Sequence, residues 1–395
     1  MKNFVFLSPN FPANYWNFCK ELKNNGINVL GIGDCPYDNL TQELKTNLNE
    51  YYYVSDLGNY NSVYRAVAFF CFKYGKIDYL ESNNEYWLER DAMLRDDFNI
   101  TSGFKSKDMP AVKYKSKMKE NYKKAGISVA EYYLVENIEG CKKFISTYGY
   151  PVIVKPDNGV GANDTYRIEN DKDLENFFKI KPQIPYIMEE YIDGEICSYD
   201  AIINSEGTPI FETGNVSPVS IMDIVNENRD SVFYMQGNPE ASILEKGRKV
   251  AKAFNVRSRF IHFEFFKLLK DQRIGKKGDI VALEVNMRPS GGVSPDMMNY
   301  ANSIDVYKVW ADMIAFDKTQ LKVGDKYNCI FVGRRNNKNY KMSIDEIKQE
   351  YSNNLKKIEN VPIALSGAMG NVMILANFED KEKMKNFYYK IIEKK

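Results

Sequence analysis

The sequence predicts a mixed fold: an α/β unit on a parallel sheet, then an α+β unit rich in antiparallel strands, then a small α/β unit. Three observations lead there. In the first hundred residues short apolar strands alternate with amphipathic helices, the pattern of a parallel sheet covered on both faces. From about residue 101 to 119 the chain turns polar and lysine-rich around Gly103 and Pro110, which marks a boundary. Beyond it, strands follow one another through glycine-bearing turns. With 395 residues, too many for one ordinary core, the parts are placed at 1–102, 103–318 and 319–395.

Composition narrows the function. Lys+Arg 54 against Asp+Glu 53 leaves a formal charge of +1, without the basic footprint of a nucleic-acid binder. No apolar run approaches a membrane span, and the first apolar run is too short for a signal peptide. Six cysteines without a CxxC pair fit reduced thiols in a cytoplasmic protein. One histidine, His262, excludes any mechanism that needs two.

In chain order, residues 3–8, 27–32, 51–54 and 77–80 read as strands. Helices are expected at 13–25 and 60–74, stopped by Gly26 and Gly75. The strand ends at 8–10 and 82–85, the latter including Asn84 and Glu85, are where such sheets bind ligands. No Gly-x-Gly-x-x-Gly follows the first strand, which argues against a nicotinamide cofactor. Residues 115–124 form a helix, and the alternating Lys113, Lys115, Lys117 and Lys119 read most simply as a solvated basic face. Strands at 131–135 and 151–155 follow, with a helix over 138–148 between them. The second strand ends on Lys155 and leads into a loop over about 156–165 with Asn158, Gly159, Gly161 and Ala162. Such a loop can point backbone N–H groups at phosphates, and the lysine adds a point charge. Further strands are expected at 184–189, 195–204, 208–216 and 259–268, with a helix over 238–255 capped by Asn238. Residues 215–237 show little periodicity and read as a loop that contributes to specificity. In the last part, strands at 329–335 and 371–376 alternate with helices at 343–351 and 381–392. Its role is not legible, and Arg334-Arg335 read as solvated surface arginines.

The most informative stretch is 280–292. As a strand it places Glu284, Asn286 and Arg288 on one face, each about 7 Å from the next. Two oxygen ligands suit Mg²⁺ and the guanidinium suits an oxyanion. Pro289 ends the strand, and Ser290-Gly291-Gly292 admit close backbone approach to a ligand. Residues 259–268 are joined to this strand by one charged loop, so antiparallel pairing brings Glu264 beside Glu284 and completes a coherent magnesium set. His262 is expected to be packed or hydrogen-bonded beside Glu264.

The order of these features resembles the ATP-grasp superfamily of carboxylate–amine and carboxylate–thiol ligases, in the branch similar to carbamoyl-phosphate synthase large subunits, over roughly residues 4–315. The resemblance implies a Rossmann-like pre-ATP-grasp domain, then an ATP-grasp domain. It implies that Lys115 and Lys155 hold the nucleotide phosphates beneath a flap from Asn158 through Gly159, Gly161 and Ala162. Glu189, Glu190, Tyr191 and Ile192 correspond to the adenine hinge and Glu195 to the ribose ligand. Glu264, Glu284 and Asn286 correspond to the ligands of Mg²⁺, with Mn²⁺ as an alternative ion. Arg288, with Lys155, corresponds to the catalytic cations. Arg288, Ser290, Gly291, Asn84 and Glu85 are the tentative substrate contacts. The family often carries Asp before the first lysine; Tyr114 stands here, so Lys117 is an alternative to Lys115. Ala162-Asn163 replace the commoner Ser/Gly and imply a stiffer flap or a phosphate bond from Asn163.

The implied reaction activates a substrate carboxylate as an acyl phosphate with ATP and joins it to an amine, releasing ADP. The expected partners are small molecules, with no nucleic acid, no membrane and a homodimer as an option. A nucleotide-binding sensor without turnover is the alternative. A carbamoyl-phosphate synthase is a weaker one, because that enzyme uses two such units.

Overall fold

The computed structural model describes residues 1–395 except 160–163, 220–223 and 225–226. Gly161, Ala162 and Asn163 therefore lie outside the described residues.

Four parallel strands open the chain: β1 (Asn3–Leu7), β2 (Asn28–Gly33), β3 (Glu50–Tyr53) and β4 (Tyr79–Glu81), in the order β3-β2-β1-β4. Both faces of β1 are covered, so its sequence is a continuous apolar run. Phe4 and Phe6 pack toward Trp310, while Val5 and Leu7 pack toward Val63 and Phe70 of the helix Tyr60–Tyr74. Asn59 caps that helix and Gly75, at φ +82°, ends it.

The middle of the chain builds two sheets. Strand β5 (Ser128–Val129) belongs to the larger one. Strands β6 (Tyr132–Leu134), β7 (Val152–Pro156), β8 (Tyr166–Ile168) and β9 (Tyr186–Glu190) form a small antiparallel sheet in the order β6-β9-β7-β8. The larger sheet continues through β10 (Gly194–Ile203), β11 (Pro209–Ser217), β12 (Ser231–Gln236), β13 (Arg259–Leu268) and β14 (Ile280–Asn286). It ends with β15 (Asn328–Arg334), β16 (Leu355–Asn360) and β17 (Val372–Phe378), nine strands in the order β16-β17-β15-β12-β11-β10-β13-β14-β5.

Four expectations change. The C-terminal strands do not form a sheet of their own; β15 pairs with β12 along its length and extends the central sheet. The stretch 215–237 contains that bridging strand. Ser231, Val232, Tyr234 and Met235 are all buried, so period-2 alternation is lost and the strand reads as loop. The helix expected from Asn238 begins at Ala241, with Glu240 at the N-cap position and its carboxylate paired to Lys267. Finally, Arg334 and Arg335 are buried, because both donate to main-chain carbonyls of neighbouring segments.

Among the described residues, no helix is long and apolar enough to cross a membrane.

Candidate active site

The site lies where the small sheet, the helix Lys115–Lys124 and the β13–β14 hairpin face one another. Its construction starts at the root of the loop after β7. Asp157 accepts from the Ser116 backbone N–H at 2.8 Å and the Ser116 hydroxyl at 2.7 Å, and its own carbonyl accepts from Lys115 N–H at 2.9 Å. An acid from a different segment thus supplies the capping that Tyr114, at the N-cap position, cannot. The helix start and the loop root are locked together.

This orientation sorts the four lysines. Lys115 is buried, donates Nζ to Gly159 O at 3.2 Å and lies 3.3 Å from Glu284 Oε1. Lys117 points out, its side chain 60% exposed, beside Glu120. Lys119, one turn beyond Lys115, is buried with its Nζ 2.7 Å from Glu189 Oε1 and 3.0 Å from Ala130 O. Lys113 is buried against Glu85. The solvated basic face is therefore a correction: three of the four lysines point inward, Lys115 and Lys119 because residues four apart share a helix face, and Lys113 from the end of the short helix before it.

Lys155 ends β7 with its Nζ 2.6 Å from Glu189 Oε2. One buried carboxylate thus joins Lys119 and Lys155. Burial pushes Glu189 up, but the two ammonium groups outweigh it and hold the carboxyl at about 2. The side chain of Glu189 faces the lysines. Glu190 pairs with Arg273, and its Oε1 accepts from Glu131 N–H at 2.8 Å. The Tyr191 ring lies under the Arg167 guanidinium at 4.8 Å, and Ile192 is buried with Ala130, Leu268 and Val281. Glu195 stands near the start of β10 opposite Lys267, and Asn158 is half-buried at the loop root.

The hairpin brings the acids together. Glu264 and Glu284 are register partners, and a bulge at the next step of the ladder leaves Leu283 without a partner. Burial and the facing Glu264 raise the Glu284 carboxyl, against the pull of Lys115. Burial also pushes Glu264 up, but His262, Arg288 and Lys155 outweigh it and hold it below the usual range. His262 bridges two acids, with Nδ1 2.8 Å from Asp200 Oδ1 and Nε2 3.3 Å from Glu264 Oε1. Burial would keep the ring neutral, yet these carboxylates push it up to about 9, so it is an imidazolium at neutral pH. Asn286 Oδ1 accepts from Arg288 Nη2 at 3.1 Å.

Arg288 turns toward the N-terminal sheet. Its Nε lies 3.5 Å from Glu85 Oε2, and Glu85 Oε1 accepts from Lys113 at 3.1 Å. Asn84 caps the short turn that carries Glu85. Around this end, the Asn83 amide nitrogen, Glu85 Oε2 and Ser290 Oγ are buried without a hydrogen-bond partner. Such orphaned groups are uncommon in folded proteins. Gly291 has open space where a side chain would lie, and Gly292 adopts φ +62°.

Two carboxylates and an amide oxygen in one place form an oxygen-only set that suits Mg²⁺, which completes its shell with phosphate and water. Among the described residues no three His, Cys, Asp or Glu side chains cluster as a ready metal cage; a two-carboxylate site shared with a phosphate does not require one. Sequence reasoning missed Lys119, Lys113 and Asp157 as parts of the site. The four-residue step from Lys115 to Lys119 was a signal; nothing local announces that Asp157 caps a helix forty residues earlier.

Residues 113–292 match the family model for the ATP-grasp domain. The chain is 24% identical over 307 residues to the L-arginine-specific L-amino acid ligase of Bacillus subtilis, spanning 75% of this chain and 71% of that protein. It is 24% identical over 196 residues to the carbamoyl phosphate synthase large chain of Caldanaerobacter subterraneus, of which that match spans 17%. The crystal structure of an L-amino acid ligase from Bacillus licheniformis superposes over 100% of this chain and 99% of that one, with a TM-score of 0.73 and 14% identity. Residue pattern, fold and family model agree on an ATP-grasp domain over residues 113–292.

Proposed function

We propose that this chain is an ATP- and Mg²⁺-dependent ligase that activates a small-molecule carboxylate as an acyl phosphate and joins it to an amine, releasing ADP and phosphate. The observation that carries the reading is one cluster in which buried lysines stand beside a pair of facing acids, with Lys115 3.3 Å from Glu284. Lys115 and Lys155 serve in this reading as the phosphate cations; Glu264 and Glu284 face each other beside them, and Arg288 leads from the acids toward Glu85.

Catalysis in such a site is chiefly positioning and charge stabilisation. The nucleotide lies between the two middle-domain sheets, with adenine against the backbone of Glu190–Ile192 and ribose toward Glu195. Lys115 and Lys155 draw the phosphates in. Glu264, Glu284 and Asn286 hold Mg²⁺, which when bound offsets phosphate charge. His262, held as a cation by Asp200, orients Glu264. Arg288 steadies the substrate carboxylate and the acyl phosphate that forms from it. The amine then displaces phosphate, and neither step needs a histidine base.

The similar ligase from Bacillus subtilis is named for L-amino acids, which makes amino acids the first substrates to try. Arg288 and Glu85, of opposite charge and 3.5 Å apart, match the two ends of such a zwitterion. The test is ADP release on a panel of paired amino acids with mass spectrometry of products. Turnover that needs Mg²⁺ and is lost in Lys155→Ala and Glu284→Ala is expected; unchanged turnover in either variant overturns the site. ATP binding without turnover on any pair favours a sensor, and carbamoyl phosphate from bicarbonate and ammonia favours the synthase-type reaction.

A further inference from the structure

Strand β15 ends at Arg334, with Arg335 beside it, and both side chains fold inward. Arg335 is consumed by structure: it donates to the carbonyls of Arg229 at 2.6 Å, Gly367 at 2.8 Å and Ser366 at 3.3 Å. Arg334 is different. It lies against the Tyr340 ring, 3.7 Å from the centroid, and gives one bond, from Nη2 to Met342 O at 2.6 Å. Its Nε is buried without a partner. Among the described residues no carboxylate forms an ion pair with either guanidinium. Asp230, bonded to the Tyr340 hydroxyl, acts on Arg334 only at longer range, and a buried cation with no close counter-charge is costly.

An open cleft of about 530 Å³ lies over this end of the strand, and Arg334, Lys338, Tyr340, Met342, Val372 and Lys395 help to line it. No acidic side chain lines it. The nearby acid, Asp230, is buried and already engaged by Lys338 at 3.1 Å and the Tyr340 hydroxyl at 2.6 Å. Met342 and Val372 add apolar surface. The cleft shares no residue with the Lys115–Glu284 pocket.

We infer that this cleft is a second ligand site, for a small organic anion carrying a phosphate or carboxylate group. The planar Arg334 guanidinium suits either oxyanion, the exposed Lys395 adds a point charge, and the apolar wall takes the body of the ligand.

The test is isothermal titration calorimetry with inorganic pyrophosphate and, separately, malonate. The Lys155→Ala protein lacks one of the two phosphate cations of the nucleotide site, which weakens anion binding there and leaves the cleft untouched. Saturable binding is expected to persist there, and to weaken at least tenfold on adding Lys395→Glu or Arg334→Met. Lys395 is exposed, so Lys395→Glu keeps the test open if Arg334→Met does not fold. Binding of pyrophosphate alone assigns phosphate as the recognised group; binding of malonate as well assigns a general dianion. No binding of either probe in Lys155→Ala, or binding that Lys395→Glu leaves unchanged, overturns the inference.

Discussion

Glu264 and Glu284 stand directly opposite each other on β13 and β14, two acids in one register pair. Like charges so placed destabilise a sheet; burial first, and then the facing Glu264, raise the Glu284 carboxyl. The pair is tolerable because His262, Lys115 and Arg288 surround it with positive charge. A divalent cation held by the two acids would offset their repulsion.

Glu284→Gln removes that repulsion and also the charge partner of Lys115, two opposed effects that should leave the metal-free protein within about 1 kcal/mol of the parent, while turnover falls at least a hundredfold. Mg²⁺ with nucleotide should raise the melting temperature of the parent through binding linkage and leave the variant nearly unmoved. Thermal melts with and without Mg-ADP check both points. An equal ligand shift in the variant would remove Glu284 from the metal set.

Glu189 holds two buried lysines, and its loss leaves both without a counter-charge. Glu189→Ala is expected to cost roughly 3–5 kcal/mol in chemical denaturation. Lys117→Ala, on the exposed face, should cost nothing measurable and leave ADP release intact. Loss of activity on changing Lys117 would restore it as the first phosphate lysine.

The same carboxylate sets an acid limit. Its folded value of about 2 lies below its ordinary 4.5. The stabilisation is therefore complete above pH 4.5 and is lost as the pH falls from there toward 2. It amounts to about 3 kcal/mol at most. Denaturation at stepwise pH should show this slope in the parent and a shallower one in Glu189→Gln.

Asp157 couples the helix that bears Lys115 to the loop after β7. Asp157→Ala should raise the KM for ATP severalfold more than it lowers kcat, and destabilise the protein by about 1–2 kcal/mol through the lost cap. Ser116→Ala, which keeps the backbone bond, should do less. A pure stability loss with unchanged KM would make Asp157 a structural residue only.

Gly292 lies in the left-handed region, and a β-carbon built there would stand 3.4 Å from Met369 Cε. Gly292→Ala should cost about 1 kcal/mol from backbone strain and narrow the range of accepted amines. Met369→Ala should widen that range. Paired kcat/KM values for small and bulky amines test the contact.

Much of the site was legible because its chemistry sits on local pattern. Glu-x-Asn-x-Arg on a strand places three side chains on one face whatever the surroundings, and a hairpin to residues 259–268 pairs Glu264 with Glu284. The N-terminal alternation, the Asn59 cap and the Gly75 stop are likewise local. What was missed depends on partners distant in the chain. Strand β12 is buried on both faces and so shows no period. Arg334 and Arg335 look like surface residues until the carbonyls they bind are in place.

By itself, the sequence determined the alternating units, the metal-type acids, Arg288 and the lysine that ends β7, because strand and helix periods assign faces without tertiary help. Only the tertiary structure decided which of four alternating lysines face inward, that Glu189 is the counter-ion of Lys119 and Lys155, and that the C-terminal strands complete the central sheet. Those outcomes rest on burial and long-range pairing. A charged side chain goes inward only where a partner from elsewhere in the chain meets it, and no local pattern records that partner.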